Sequence, residues 1–223
     1  MRKIIMLAAV ALICNTLSAQ QLLKLIMPSA KFSKGDHAEW ASPKFNDRQW
    51  KNISTTANWE SQSYNGYDGF AWYRIHVKIP AALKQKSFLK DSLRINLGKI
   101  DDAAEVFVNG RLVTKSGSFP ADAGGYSTAY YQPVEFHVAT DAATINWDKE
   151  NIIAIRVYDG GGAGGMYGPL PFISMMDIID AVSMETDEDP FLFSGNNKVS
   201  KSFSLSNHSD TQIDGVLSIR AIQ

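Results

Sequence analysis

The residues able to do chemistry fall in a few short stretches. Asp101 and Asp102 are paired carboxylates, the groups used both in glycoside hydrolysis and in hard-cation binding. Neighbouring residues on a strand point to opposite faces, so this pair cannot flank one scissile bond. In a loop it would cap a turn or give two oxygens to a structural calcium ion, which needs about six to eight. Glu185, Asp187, Glu188 and Asp189 form an acidic run with the character of a solvated linker. His37, His76, His137 and His208 have no spacing typical of a metal pair. Ser206, His208 and Asp210 are the residue types of a hydrolase triad, but they crowd into one turn-like stretch. A triad converges from separate elements. Residues 159–165, Asp-Gly-Gly-Gly-Ala-Gly-Gly, lack the G-K-[ST] ending of a phosphate loop. Their glycines suit a loop of positive φ that a partner can approach closely.

The elements that must position these groups read as short strands. Ala71, Tyr73, Ile75, Val77 and Ile79 alternate with Trp72, Arg74, His76 and Lys78, the period of a half-buried strand. Leu93, Ile95 and Leu97 repeat that period, as do Ala104, Val106 and Val108, then Val134, Phe136 and Val138, then Ile153, Ile155 and Val157. Asn109-Gly110 marks a tight hairpin, since both residues tolerate positive φ. Strands at this spacing, with no long 3.6-residue period among them, predict an all-β sandwich or barrel. Residues 175–182 fit a strand or a short helix equally well. Beyond the acidic run, residues 199–205 and 216–222 read as two further strands. They form a C-terminal β-hairpin that either packs on the first domain or begins an incomplete second sandwich.

The start of the chain has the character of an export signal. Arg2 and Lys3 precede an apolar run over residues 4–14, and Leu17-Ser18-Ala19 offers a small residue at a cleavage position. Cleavage after Ala19 removes Cys14, the single cysteine. That excludes disulfides, Cys-based zinc sites and Cys nucleophiles from the mature chain. Lipidation at Cys14, giving an outer-membrane lipoprotein, is the alternative. Without Arg2 and Lys3 the chain has 20 basic and 23 acidic residues, so nothing forms a basic footprint for nucleic acid. No second apolar run approaches transmembrane length. The expected organisation is a signal over residues 1–19, one domain over 20–185, and a linker with a partial second domain over 186–223. The expected location is the periplasm or outside the cell.

Five segments in order carry a family resemblance. Phe45-Asn46-Asp47-Arg48-Gln49-Trp50, Trp59-Glu60, Tyr67-Asp68-Gly69-Phe70-Ala71-Trp72-Tyr73-Arg74, the stretch 97–110 around Gly98-Lys99-Ile100-Asp101-Asp102, and the stretch 151–168 resemble the sugar-binding domain of family 2 glycoside hydrolases. Similar domains occur as insertions in sialate O-acetylesterases. Asn46, Arg48 and Ala104 depart from the family pattern.

The resemblance implies a galactose-binding-like jelly-roll β-sandwich and, in the partial C-terminal segment, the start of an immunoglobulin-like domain. It does not by itself imply catalysis. It makes a glycan or glycoside the expected ligand and a catalytic domain or another exported protein the expected partner, with no resident cofactor beyond that structural calcium. Sugars pack an apolar C–H face on an aromatic ring and bind hydroxyls through polar groups. The carbohydrate-binding candidates are therefore Trp59, Tyr67, Asp68, Trp72, Arg74, Tyr158 and Asp159, with no catalytic and no metal-ligating residue. Tyr64 and Tyr167 lie near the same segments, whereas Trp50 and Tyr73 read as core. In the family, the loop matching residues 159–168 lies near the active site of a neighbouring barrel, which would make Asp159 part of a substrate pocket. Three functions follow: a non-catalytic carbohydrate-binding or accessory module, the N-terminal part of a larger glycoside hydrolase or esterase, or a structural protein-interaction module.

Overall fold

Alternation at period 2 over residues 71–79 does form a strand, and the runs read at 93–97, 104–108, 134–138 and 153–157 join it in an all-β structure. The computed structural model describes residues 23–86, 92–140, 143–176, 178–186, 203–208 and 212–214. In chain order the strands are β1 (Leu25–Ile26), β2 (Ser29–Lys34), β3 (Lys51–Ser54), β4 (Gly69–Lys78), β5 (Ser92–Asp101), β6 (Ala103–Val108) and β7 (Arg111–Ser116). They continue as β8 (Pro133–Ala139), β9 (Glu150–Asp159), β10 (Gly165–Tyr167), β11 (Phe172–Met175), β12 (Val182–Thr186) and β13 (Phe203–Asn207). One helical turn, α1 (Ile178–Ala181), precedes β12. The ambiguous stretch 175–182 is thus the end of a strand, then a helical turn, then the start of another strand.

Two antiparallel sheets form a β-sandwich. One has the order β3-β2-β4-β9-β6-β7. In the other, β5 pairs with β8 on one side and with β11 and β10 on the other, and β1 pairs with β11. Their facing sides interleave into one core: Tyr73 and Ile75 of β4, Val106 of β6 and Ile155 of β9 meet Leu93 and Ile95 of β5, Phe136 of β8 and Ile173 of β11. Each such side chain contributes about 1.5–3 kcal/mol on burial, so the inter-sheet seam carries most of the stability. Asn109 and Gly110 take φ of 49° and 85° and turn β6 into β7, the hairpin expected from the Asn-Gly pair.

The outer face of the six-stranded sheet is only partly open to solvent. A strap over residues 36–50 crosses it. Trp40, Ala41, Trp72, Ile152 and Ala154 bury one another beneath it, with Phe45, Trp50 and Phe107 packed alongside. Trp50 therefore packs in this outer cluster, whereas Tyr73 lies in the main core.

Near the C-terminus, β13 pairs with β12, from Val182↔Asn207 to Thr186↔Phe203. This pairing joins residues on the two sides of the boundary expected at 185/186. The second expected hairpin strand (216–222), most of the acidic run and the export signal with Cys14 lie outside the described residues. Among the described residues no helix is long and apolar enough to cross a membrane.

Candidate ligand-facing end of the sandwich

Strand register gathers three acidic residues at one end of the sandwich. β4 begins at Gly69 opposite Asp159, the last residue of β9. β6 begins at Ala103 opposite Tyr158. Asp101, the last residue of β5, pairs with Gly165, the first of β10. Asp101 and Asp102 thus form the corner where the chain crosses from one sheet to the other, and Asp159 opens the glycine-rich loop beside them.

Asp102 ties two loops to that corner. Its Oδ2 accepts from the Tyr126 hydroxyl and from the Gly160 N–H at 2.9 Å, and its Oδ1 accepts from the Thr128 hydroxyl at 2.5 Å. Burial would raise its pKa, but these hydrogen bonds and one shared with Asp101 outweigh it and hold the carboxyl down at about 2. Asp101 responds in the opposite sense. Burial first, then the hydrogen bond and charge of Asp102, push it up to about 8. The negative charge of Asp102 thus favours the protonated form of Asp101, as expected of closely placed carboxyls.

Asp159 is fully buried. Its Oδ1 accepts from the Gly161 N–H at 2.9 Å, while its Oδ2 has no donor. Burial, reinforced by the charges of Asp102, Asp68 and Glu60, pushes it up to about 6. Glu60 accepts the Gly164 N–H at 3.0 Å through Oε2 and leaves its buried Oε1 unpaired. Gly164 and Gly165 are required here by close approach. A Cβ on Gly164 would lie 2.5 Å from Asp159 Oδ2 and overlap the Trp59 ring; one on Gly165 would overlap the Tyr73 hydroxyl.

Aromatic rings flank these carboxyls. Tyr126 packs edge-on against Tyr158 at 5.4 Å and remains 41% exposed. Tyr130 and Tyr131, 47% and 58% exposed, pack edge-on against each other at 5.5 Å. The Tyr167 hydroxyl holds the Tyr130 carbonyl at 2.5 Å. Sequence reasoning did not count Tyr126, Tyr130, Tyr131 or Glu60 among the ligand-contact candidates. The signal was present, because three tyrosines within residues 126–131 follow the turn pair Gly124-Gly125.

The structure divides the seven sequence candidates. Tyr67, Asp68, Tyr158 and Asp159 belong to this end, with Tyr67 and Tyr158 half-buried and Asp68 exposed. Trp59 lies beneath it with no exposed surface. Its indole N–H donates to the Tyr67 carbonyl at 3.1 Å, so it supports the glycine loop and presents no ring to a sugar. Trp72 and Arg74 lie on the outer face of the six-stranded sheet, under the strap. Trp72 stacks on Phe107 and donates to Asp36 at 3.3 Å. Arg74 is fully buried, with Nε on Asp47 at 2.7 Å and its other nitrogens on the carbonyls of Trp40, Ser42 and Phe45. Both are accounted for by packing and hydrogen bonding within the fold. Among the described residues no group of three or more His, Cys, Asp or Glu side chains is arranged to hold a metal ion.

Among known proteins, no family model and no curated sequence matches this chain. Solved structures do share its fold. A β-glucuronidase 2 of Bacteroides uniformis, covalently bound to cyclophellitol-6-carboxylate aziridine, superposes with a TM-score of 0.55 at 21% identity, over 75% of this chain and 20% of the enzyme. A glycosyl hydrolase family 2 member from Bacteroides cellulosilyticus DSM 14838 superposes with a TM-score of 0.53 at 21% identity, over 73% of this chain and 22% of the enzyme. At such identities the likeness is one of fold, and the chain spans about a fifth of the length of these enzymes: it has the β-sandwich fold of one part of family 2 glycoside hydrolases.

Proposed function

We propose that this chain is an exported, non-catalytic carbohydrate-binding or accessory module of the family 2 glycoside hydrolase type, built on a galactose-binding-like jelly roll. The observation that carries the reading is the loop end. Exposed Tyr126 bonds Asp102 beside the Asp159 loop, and exposed Tyr130, with Tyr131 packed on it, is tied to Tyr167 of the same end, so open rings lie near groups able to bind hydroxyls. Few polar groups and open rings give weak affinity, because ordering costs offset much of the contact energy.

The test is a titration of the purified chain with β-linked oligosaccharides, followed by tyrosine and tryptophan fluorescence and by NMR shifts. Saturable binding is expected, and Tyr130→Ala and Tyr131→Ala should weaken it at least about tenfold while shifting stability by under about 0.5 kcal/mol. Binding that ignores both substitutions places the ligand elsewhere. Turnover of nitrophenyl glycosides by the same preparation would overturn the non-catalytic part of the reading.

A second reading rests on the coverage of the structural neighbours. A fold that matches a fifth of larger enzymes suits a segment whose loop end completes the pocket of a separate catalytic domain, with Asp159 shaping that pocket. In that case the isolated chain binds no glycan, and adding a catalytic domain of the same family restores recognition.

A further inference from the structure

On the outer face of the six-stranded sheet, the strap leaves a groove on its β3 side. Ser29, Lys31, Asp47, Arg48, Asn52 and His76 line it. Its volume is about 360 Å³, within the range of roughly 300–1,000 Å³ that takes small organic ligands. Sheet register builds it. Asn52, Lys31 and Arg74 are Cα partners in one row across β3, β2 and β4, so their side chains stand on the same face.

The charge balance of this groove is uneven. Its one lining carboxylate, Asp47, is already neutralised: Oδ2 accepts from Arg74 Nε at 2.7 Å and sits 2.8 Å from His76 Nε2. Arg74 is fully buried, and its other two nitrogens bond the strap carbonyls. Lys31 is different. Its Nζ reaches the Trp50 carbonyl at 3.2 Å, a neutral partner that leaves the charge uncompensated. Arg48 is exposed, and its guanidinium has no acidic partner among the described residues. Two uncompensated cations and the Asn52 amide therefore line one polar concavity. A guanidinium fork matches the paired oxygens of a carboxylate or sulfate, and an ammonium adds a point charge.

We propose that this groove binds a carboxylate or sulfate group carried on a molecule of about monosaccharide size, with Arg48 and Lys31 holding the anion and Asn52 a neighbouring hydroxyl. It lies apart from the tyrosine end, so the two sites stand or fall separately.

Calorimetric titration of the full chain with D-galacturonate and D-glucose 6-sulfate tests this, with D-galactose, D-glucose and inorganic sulfate as counterparts. At least one charged sugar should bind saturably at millimolar concentration, and its neutral counterpart should not. Arg48→Ala should weaken binding at least about tenfold with an unchanged melting temperature, whereas Tyr130→Ala should leave it intact. Binding to neither charged sugar, equal binding of charged and neutral sugars, equal affinity for inorganic sulfate alone, or indifference to Arg48→Ala would each overturn the proposal.

Discussion

Replacing Arg74 with methionine separates a structural arginine from a ligand-binding one. Methionine keeps the unbranched stem and loses every donor. Four acceptors are then short of a partner: the Asp47 carboxylate, 5% exposed, and the carbonyls of Trp40, Ser42 and Phe45. Removing one member of a buried ion pair costs about 3–5 kcal/mol, because the other charge remains in a poor solvent. For a domain of this size each kcal/mol shifts the melting temperature by about 2–4 °C, so Arg74→Met should lower it by about 6–20 °C. His76 stays on Asp47 at 2.8 Å and keeps the cost toward the lower end when protonated. Urea unfolding followed by circular dichroism measures the loss. Asp47→Asn, alone and combined with Arg74→Met, completes a double-mutant cycle. The amide carries no charge to strand, so the double variant should be more stable than additivity predicts by at least about 1 kcal/mol. A loss below about 1 kcal/mol for Arg74→Met, or strict additivity in the cycle, refutes the reasoning. Unchanged stability with abolished glycan binding would return Arg74 to the ligand.

Three further outcomes follow from the loop end. Asp101 and Asp159, pushed up to about 8 and about 6, keep protons in the folded state that the unfolded chain releases above about 4. Stability should therefore fall as pH rises from about 4 to about 8, the reverse of the usual carboxylate effect, while Asp102, held at about 2, opposes this only in acid. Asp101→Asn should flatten the fall seen by urea unfolding between pH 6 and pH 8, and an unchanged slope would count against the raised pKa of Asp101. Gly164→Ala forces a Cβ against the Trp59 ring and Asp159 Oδ2, so overpacking should cost about 1–3 kcal/mol and shift tryptophan emission; wild-type stability and emission would show that the loop need not pack there. Asp159→Asn removes a buried charge and should be neutral or stabilising above pH 6. A large loss of stability on that change would mean the carboxylate has a partner in the fold that its free Oδ2 does not reveal.

Strand positions were legible because period 2 is a direct image of burial on one face. The limit of that signal is clear at β4. Alternation assigned Ala71, Tyr73 and Ile75 to the core correctly, but it read Trp72 and Arg74 as an open polar face. Both are buried, because the strap over residues 36–50 covers that face, and no local period in β4 records what a distant segment will cover. The same blindness made Trp59 a sugar-contact candidate: its ring is hidden by Gly164 and Gly165, more than a hundred residues away. Asp101 and Asp102 were read by strand geometry as pointing to opposite faces, whereas they stand at the corner between two sheets and act on each other. Their joint titration was out of reach, since it depends on Tyr126, Thr128 and Gly160 arriving from two separate loops.

The two polar knots of this molecule differ in how fully their buried groups are paired. At the strap, every nitrogen of Arg74 finds an acceptor, and the result is a fastening. At the loop end, Asp159 Oδ2 and Glu60 Oε1 are buried without a donor. An unsatisfied buried acceptor costs about 1–3 kcal/mol, and an apolar side chain of similar shape would avoid that cost. Three carboxyls and Glu60 nevertheless sit within reach of one another's charge, on glycines that admit no Cβ and beside tyrosines open to solvent. Stability alone gives no reason to concentrate them there. The cost falls on atoms closed off from solvent, so the proposed ligand would meet the exposed tyrosines and Asp68 rather than these two oxygens.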